Sequence, residues 1–271
     1  MFNSISSQAN SLINITRKKY QTSKTKVIAI TSGKGGVGKS TMTANIAYLL
    51  SQFGKKVLVV DADIGLANMQ ILFDMKPKYT LYDYISNRVK LSDVLLKTKY
   101  DNVTLLAGKS GHKYAIESSS LVYSRIVQDI IDLNTYDIIL IDTGAGINEY
   151  VKEFIDISDE VIAVTTTDPS AITDAYALIK MISSNKSNLF LLFNQTATFK
   201  TGEVITQSLR QLGLKNRINK NFMVKYIGNV RADLNISTTG RLRKLFTKEF
   251  SSDISAMDLD VIVNNLIREI K

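Results

Sequence analysis

Short, unbroken runs of β-branched and aliphatic residues recur at Val27–Thr31, Val57–Val60, Val103–Leu106, Ile138–Ile141, Val161–Thr165 and Leu189–Phe193. Apolar runs without polar alternation mark strands buried on both faces of a parallel sheet. Between them the apolar spacing becomes helical, near residues 39–53, 117–133, 147–156, 170–184 and 202–212. Gly54 follows the first of these stretches, where a helix-ending glycine belongs. Strands alternating with helices predict one α/β domain, a doubly wound and mostly parallel sheet flanked by helices. Near the end, Ser255 with Asp258 three residues on predicts a helix start. Leu259, Ile262, Val263, Leu266 and Ile270 then form one apolar stripe that should pack on the sheet.

The first 25 residues stand apart. Ile5, Ala9, Leu12 and Ile13 share one face of a short amphipathic helix, and the polar stretch Thr16 to Thr25 reads as a linker. The expected organisation is therefore a helical extension with its linker over 1–25 and one domain over 26–271. The segment from Arg241 to Phe250 mixes apolar residues at helical spacing with cations, which has the look of a lipid-binding helix. Its place before another fold helix favours internal packing.

Charge refines this picture. The chain carries net +9, unevenly spread: residues 1–60 hold nine Lys/Arg and no acid, and residues 195–250 hold 11 basic and three acidic groups. Such basic regions suit a polyanion, an acidic partner or anionic lipid, and the field alone does not choose. There are no cysteines, which excludes disulfides, thiolate metal sites and iron–sulfur clusters. A single histidine, His112, argues against histidine metal sites and triads. No run reaches the roughly 18 apolar residues of a membrane span, and no signal-peptide core is seen at the N-terminus. A cytoplasmic protein is expected.

The chemistry begins at Gly33-Lys34-Gly35-Gly36-Val37-Gly38-Lys39-Ser40-Thr41, which fits G-x-x-x-x-G-K-[ST] between a strand and a helix. Glycines let backbone N–H groups curl around phosphate oxygens, and the helix N-terminus adds positive partial charge. Lys39 is placed to reach the β/γ-phosphates and Ser40 to ligate Mg²⁺, so ATP and Mg²⁺ are the expected ligands of a P-loop NTPase domain. Asp61 and Asp63 follow one strand and Asp142 another, so their carboxylates converge on the ligand crevice at the strand C-termini. One can hold the magnesium shell while another orients attacking water.

Lys34, directly after the first glycine, is more than an ordinary P-loop needs. With it the loop resembles the deviant Walker A ATPases of the MinD/ParA family. In that family this lysine crosses an ATP-bound homodimer to the partner's phosphates, which implies a dimerising and catalytic Lys34. The resemblance implies Asp63 as the water-orienting aspartate of switch I, Asp142 as the Walker B aspartate, and Asp61 as support for the magnesium shell. It also puts the Gly144 N–H toward the γ-phosphate and Asn194 on the adenine edge, although Gln195 stands where the family has arginine. The loop Gly228 to Asp233 lacks the proline usual there.

Within the family, Asp142-Thr143-Gly144-Ala145-Gly146 and the segment Asp168 to Lys180 resemble the flagellar-number regulators of the FlhG (FleN) branch. Ser7-Gln8-Ala9-Asn10-Ser11-Leu12-Ile13 is similar to that branch's D-Q-A-x-x-L-R motif, which docks on the signal-recognition-type GTPase FlhF and stimulates GTP hydrolysis. Gln8, Ala9 and Leu12 match and are the expected partner-binding residues; Ser7 and Ile13 depart. The resemblance implies a slow regulatory ATPase setting flagellum number or placement, with flagellar switch proteins or a transcription regulator as further partners. It also implies a peripheral contact with the inner face of the cell membrane. The alternatives are a MinD-like division-site regulator on membrane and a ParA-like partition ATPase on DNA, the latter disfavoured.

Overall fold

The computed structural model describes residues 24–63, 67–109, 121–198 and 200–270. Eight strands run β1 (Lys26–Ser32), β2 (Val57–Ala62), β3 (Leu95–Lys97), β4 (Val103–Leu106), β5 (Ile138–Ala145), β6 (Glu160–Thr165), β7 (Asn188–Thr196) and β8 (Met223–Arg231). They form one sheet in the order β3-β4-β2-β5-β1-β6-β7-β8, parallel throughout except for the antiparallel edge pair β3–β4. The main helices are α1 (Lys39–Gln52), α5 (Leu121–Asp132), α6 (Glu149–Ile157), α7 (Pro169–Ile182), α8 (Thr201–Lys215) and α11 (Ile254–Glu269). Short helices are α2 (Met69–Leu72), α3 (Leu81–Ile85), α4 (Leu91–Val94), α9 (Leu234–Arg241) and α10 (Phe246–Glu249).

The two-residue period of a strand divides the core between two faces. Ile28, Ile30, Val59, Leu140 and Ile162 point to the face covered by α1 and α11. Val27, Leu58, Ile139, Val161 and Leu189 point to the face covered by α5 to α8. Each run is continuous in sequence because both faces are dry, as expected of a doubly wound sheet. Gly54 has φ 75 just past α1, as expected. The stripe Leu259, Ile262, Val263, Leu266 and Ile270 is buried.

Four readings need amendment. Strand β8 carried no continuous apolar run, because Lys225, Gly228 and Asn229 interrupt it at the sheet edge. Strand β3, only three residues long, was also unsignalled. Helix α11 begins after Asp253, not at Ser255, and no side chain caps it. The Ser255 hydroxyl donates instead to Asp233 (3.0 Å), and Asp258 takes both arms of Arg231 (2.7 and 2.8 Å). Finally, 241–250 is not one helix: it breaks after α9, Arg243 adopts φ 55, and α10 starts afresh at Phe246.

Leu245 and Phe246 are buried in the core beneath α1, so packing accounts for the apolar half of that segment. A polar clasp reinforces it. Asn45 of α1 accepts from the Thr247 N–H and hydroxyl (3.1 and 2.8 Å) and donates to the Thr41 carbonyl (2.8 Å). No described helix is long and apolar enough to cross a membrane. The amphipathic stretch with Gln8, Ala9 and Leu12 lies outside the described residues.

Candidate functional site

The chain leaves β1 at Ser32 and turns through residues 33–38 into α1. Gly36 and Gly38 sit at φ 80 and 88, backbone that a side chain resists. Helix α1 starts with no capping side chain and no acid in its first turn. Its first N–H groups, at the positive end of the helix, are therefore left for an anion. Asn194, at the end of β7 and buried, donates to the Val37 carbonyl (2.9 Å) and accepts from the Gln195 N–H (2.9 Å). It buttresses the loop from below, with one N–H and one lone pair remaining for a base.

Parallel pairing puts Asp61 of β2 directly beside Asp142 of β5. Asp142 is fully buried, and the loop helix reaches it three times. Lys39 Nζ lies 2.9 Å from Oδ1, Ser40 Oγ donates to Oδ2 (2.6 Å) and Thr43 Oγ1 donates to Oδ1 (3.0 Å). Thr43 was missed in the sequence, yet it stands one turn after Lys39 on the same helix face. Ser40 and Asp142 thus place two oxygen donors together. Among the described residues no cluster of three or more His, Cys, Asp or Glu could hold a metal. A hydroxyl and one carboxylate suit magnesium, which keeps phosphate and water oxygens for its other positions.

Asp61 is tied to the backbone instead, accepting from the N–H groups of Met69 (3.0 Å) and Asp63 (3.3 Å). Burial, then the like charge of Asp142, pushes its pKa up to about 7. A carboxyl raised in the folded state stabilises through its bound proton. That contribution is complete below its ordinary pKa near 4 and is lost as pH rises through about 7. Calorimetry without nucleotide or Mg²⁺ should therefore show wild type losing up to about 1.4 kcal/mol per pH unit across this window relative to Asp61→Asn. Parallel melting curves for the two proteins between pH 4 and 7 would discard this assignment.

Asp63 follows the end of β2 with its carboxylate close to Gly144, where an added methyl would lie 3.7 Å from Oδ1. A cavity of about 230 Å³ opens there, lined by Asp63, Gly144, Asn148 and Tyr150. A larger apolar cavity of about 360 Å³, between α7, α8 and the start of β8, is at the opposite end of the sheet from the loop. Gly35 packs near Ala145. Lys34 is exposed and donates to Ser170 Oγ of α7 (2.7 Å). The fold thus assembles Gly33 to Thr41, Asp61, Asp63, Asp142, Gly144 and Asn194 at one end of the sheet. Ser170 joins them, a residue that nothing in its local sequence signalled.

A family model described as AAA domain matches residues 25–195. The flagellum site-determining protein YlxH of Helicobacter pylori is 37% identical over 275 residues, spanning 99% of this chain and 92% of that protein. The antiactivator FleN of Pseudomonas aeruginosa is 40% identical over 158 residues, 58% of this chain and 56% of that one. Among solved structures, the septum site-determining protein MinD complexed with Mg-ADP from Pyrococcus horikoshii superimposes with a TM-score of 0.77. It covers 91% of this chain and 97% of its own at 24% identity, a likeness of fold.

Proposed function

Because the chain belongs to the AAA-domain family of MinD/ParA-type P-loop ATPases, in the branch of YlxH (FlhG) and FleN, we propose that it is an ATP-operated dimerising switch that sets the number or placement of flagella. Its cofactors are ATP and Mg²⁺. The observation that carries the reading is the buried knot of Lys39, Ser40 and Thr43 on Asp142, beneath a glycine loop whose helix end is uncapped. When a triphosphate enters, Lys39 exchanges Asp142 for the β/γ-phosphates. The loop N–H groups of Gly33 to Thr41 cradle the rest. Ser40 and Asp142 would hold Mg²⁺, with Asp61 behind them, and the ion would neutralise charge on the phosphate oxygens. Asp63 orients the attacking water, the Gly144 N–H faces the γ-phosphate, and Asn194 meets the adenine edge.

In this reading Lys34 extends to the phosphates of a second copy and seals an ATP-bound homodimer. The extension over 1–25 presents Gln8, Ala9 and Leu12 to FlhF and stimulates its GTPase, with Ala9 and Leu12 seated in a groove of the partner. Flagellar switch proteins or a transcription regulator are further partners. Peripheral attachment to the inner face of the cell membrane is part of the same proposal.

The test uses the full chain. With ATP and Mg²⁺ the wild type should dimerise and raise FlhF GTP turnover several-fold. Lys34→Ala should stay monomeric, and Gln8→Ala should dimerise without stimulating. Equal stimulation by the Gln8 variant would remove FlhF as the partner of this helix. Dimerisation by the Lys34 variant at wild-type concentrations would remove the sandwich.

A further inference from the structure

We propose that residues 1–16 dock as an amphipathic helix into the apolar cavity between α7, α8 and β8 of their own chain, and that this parking withholds their apolar face from other proteins. The withholding rests on the partner reading above; the docking does not. The cavity, about 360 Å³, is lined by Ile179 of α7, Leu209 and Leu214 of α8, Ile218 and Phe222 of the turn, and Met223 at the start of β8. An apolar cavity of roughly 150 Å³ takes a benzene ring, so this one admits more than one aliphatic side chain.

Its frame is fixed. Arg210 Nε donates to the Val224 carbonyl and ties α8 to β8, and Asn219 Nδ2 donates to the Ser183 carbonyl (3.4 Å). Gly213 keeps the cavity open, since a Cβ there would meet Ile218 Cδ1 at 3.4 Å. Leu214 is 69% exposed and Met223 57%, so the mouth is an apolar patch on the surface rather than a sealed hole.

Position, charge and shape name the occupant. Strands β1, β6, β7 and β8 are neighbours and parallel, so β1 and β8 open at the same end of the sheet. Three strand spacings, about 14 Å, separate them. The described chain begins at that end with Lys24, two residues before β1. As a flexible linker, Thr16 to Lys24 spans about 17 Å. A tether whose reach matches the gap keeps its cargo at a high effective concentration. Residues 204–232, which surround the cavity, carry six basic side chains and no acid, whereas residues 1–16 carry no charged side chain. The helix therefore enters without repulsion, and the negative partial charge of its carboxyl end suits a cationic rim. Phe2, Ile5, Ala9, Leu12 and Ile13 share one face at helical spacing, the stripe that a groove receives. Ala9 and Leu12, the residues offered to FlhF, are on that face. One face cannot serve both, so the undocked fraction sets how much of the chain a partner can engage.

The chain has no cysteine, so an introduced pair supplies its only thiols. A disulfide needs its two Cα atoms within about 7 Å. In the full chain, without nucleotide or partner, Ser6→Cys with Met223→Cys should close an intramolecular disulfide under mild oxidation. Closure should be at least about tenfold faster than in the same pair carrying Leu12→Asp, which has the same tether and the same domain. Equal rates overturn the docking. Leu214→Asp, at the exposed mouth, should slow closure in the same way while melting temperature and ATP turnover match wild type. It should also lower the concentration of chain that half-activates FlhF by at least about threefold. Closure lost in Leu214→Asp with half-activation unchanged overturns the withholding. If no variant stimulates FlhF while closure still depends on Leu12, the partner reading fails and the docking stands.

Discussion

Lys39→Ala is expected to lose ATP binding by at least about 100-fold, reduce hydrolysis to background and lower the melting temperature by roughly 10 °C near pH 8. The first two effects follow from the proposed site, in which Lys39, the buried cation after the glycine turn, meets the phosphates. The third follows from the strands. Asp61 and Asp142 are side-by-side register partners, and Lys39 is the charge that compensates both. Ser40 and Thr43 would still donate to Asp142, but hydroxyls do not neutralise a desolvated carboxylate. Breaking one side of a buried pair costs about 3–5 kcal/mol. Fluorescent-nucleotide titration and calorimetry at pH 8 read the two parts separately. A variant that still binds ATP within tenfold of wild type would show that another group grips the phosphates.

Asp63→Ala should do the opposite, sparing binding and stopping turnover. Asp63 is outside the knot on Asp142, at the open end of β2 beside Gly144, and it is only half-buried. Its removal leaves Lys39, Ser40 and the glycine turn as they are, so ATP affinity should stay within a few-fold. On the proposed role of Asp63, water orientation is lost, which costs hydrolysis about 100-fold or more. ATP-bound dimer should then accumulate and persist on size exclusion. Single-turnover hydrolysis above a tenth of the wild-type rate would take Asp63 out of the chemistry.

The parts of this molecule that were legible in sequence are those written in short range. The run Val27–Thr31 reads as a strand because both of its faces are dry, and the glycine turn reads as a phosphate loop because strand and helix flank it. Asp61 and Asp142 were legible as strand-end carboxylates. Their adjacency was not, since strand order is a property of the sheet. The same limit hid β8, whose edge position permits Lys225 and Asn229. At the start of α11 the sequence suggested Ser255, but its hydroxyl is engaged by Asp233 and the helix begins after Asp253. Contacts between distant segments, Lys34 with Ser170 or Asn45 with Thr247, leave no local trace.

The clasp between Asn45 and Thr247 reaches further than its two hydrogen bonds. The stretch that the family model matches ends at residue 195, but the helix that carries Lys39 and Ser40 is braced by residues some fifty positions beyond it. Trimming a recombinant version to the matched stretch would strip Leu245, Phe246 and α11 from the underside of α1. Ile46 and Leu50 would then face solvent, and the amide of Asn45 would lose its donors. The helix that carries Lys39 and Ser40 thus rests on the 76 residues beyond that stretch, which act as its foundation.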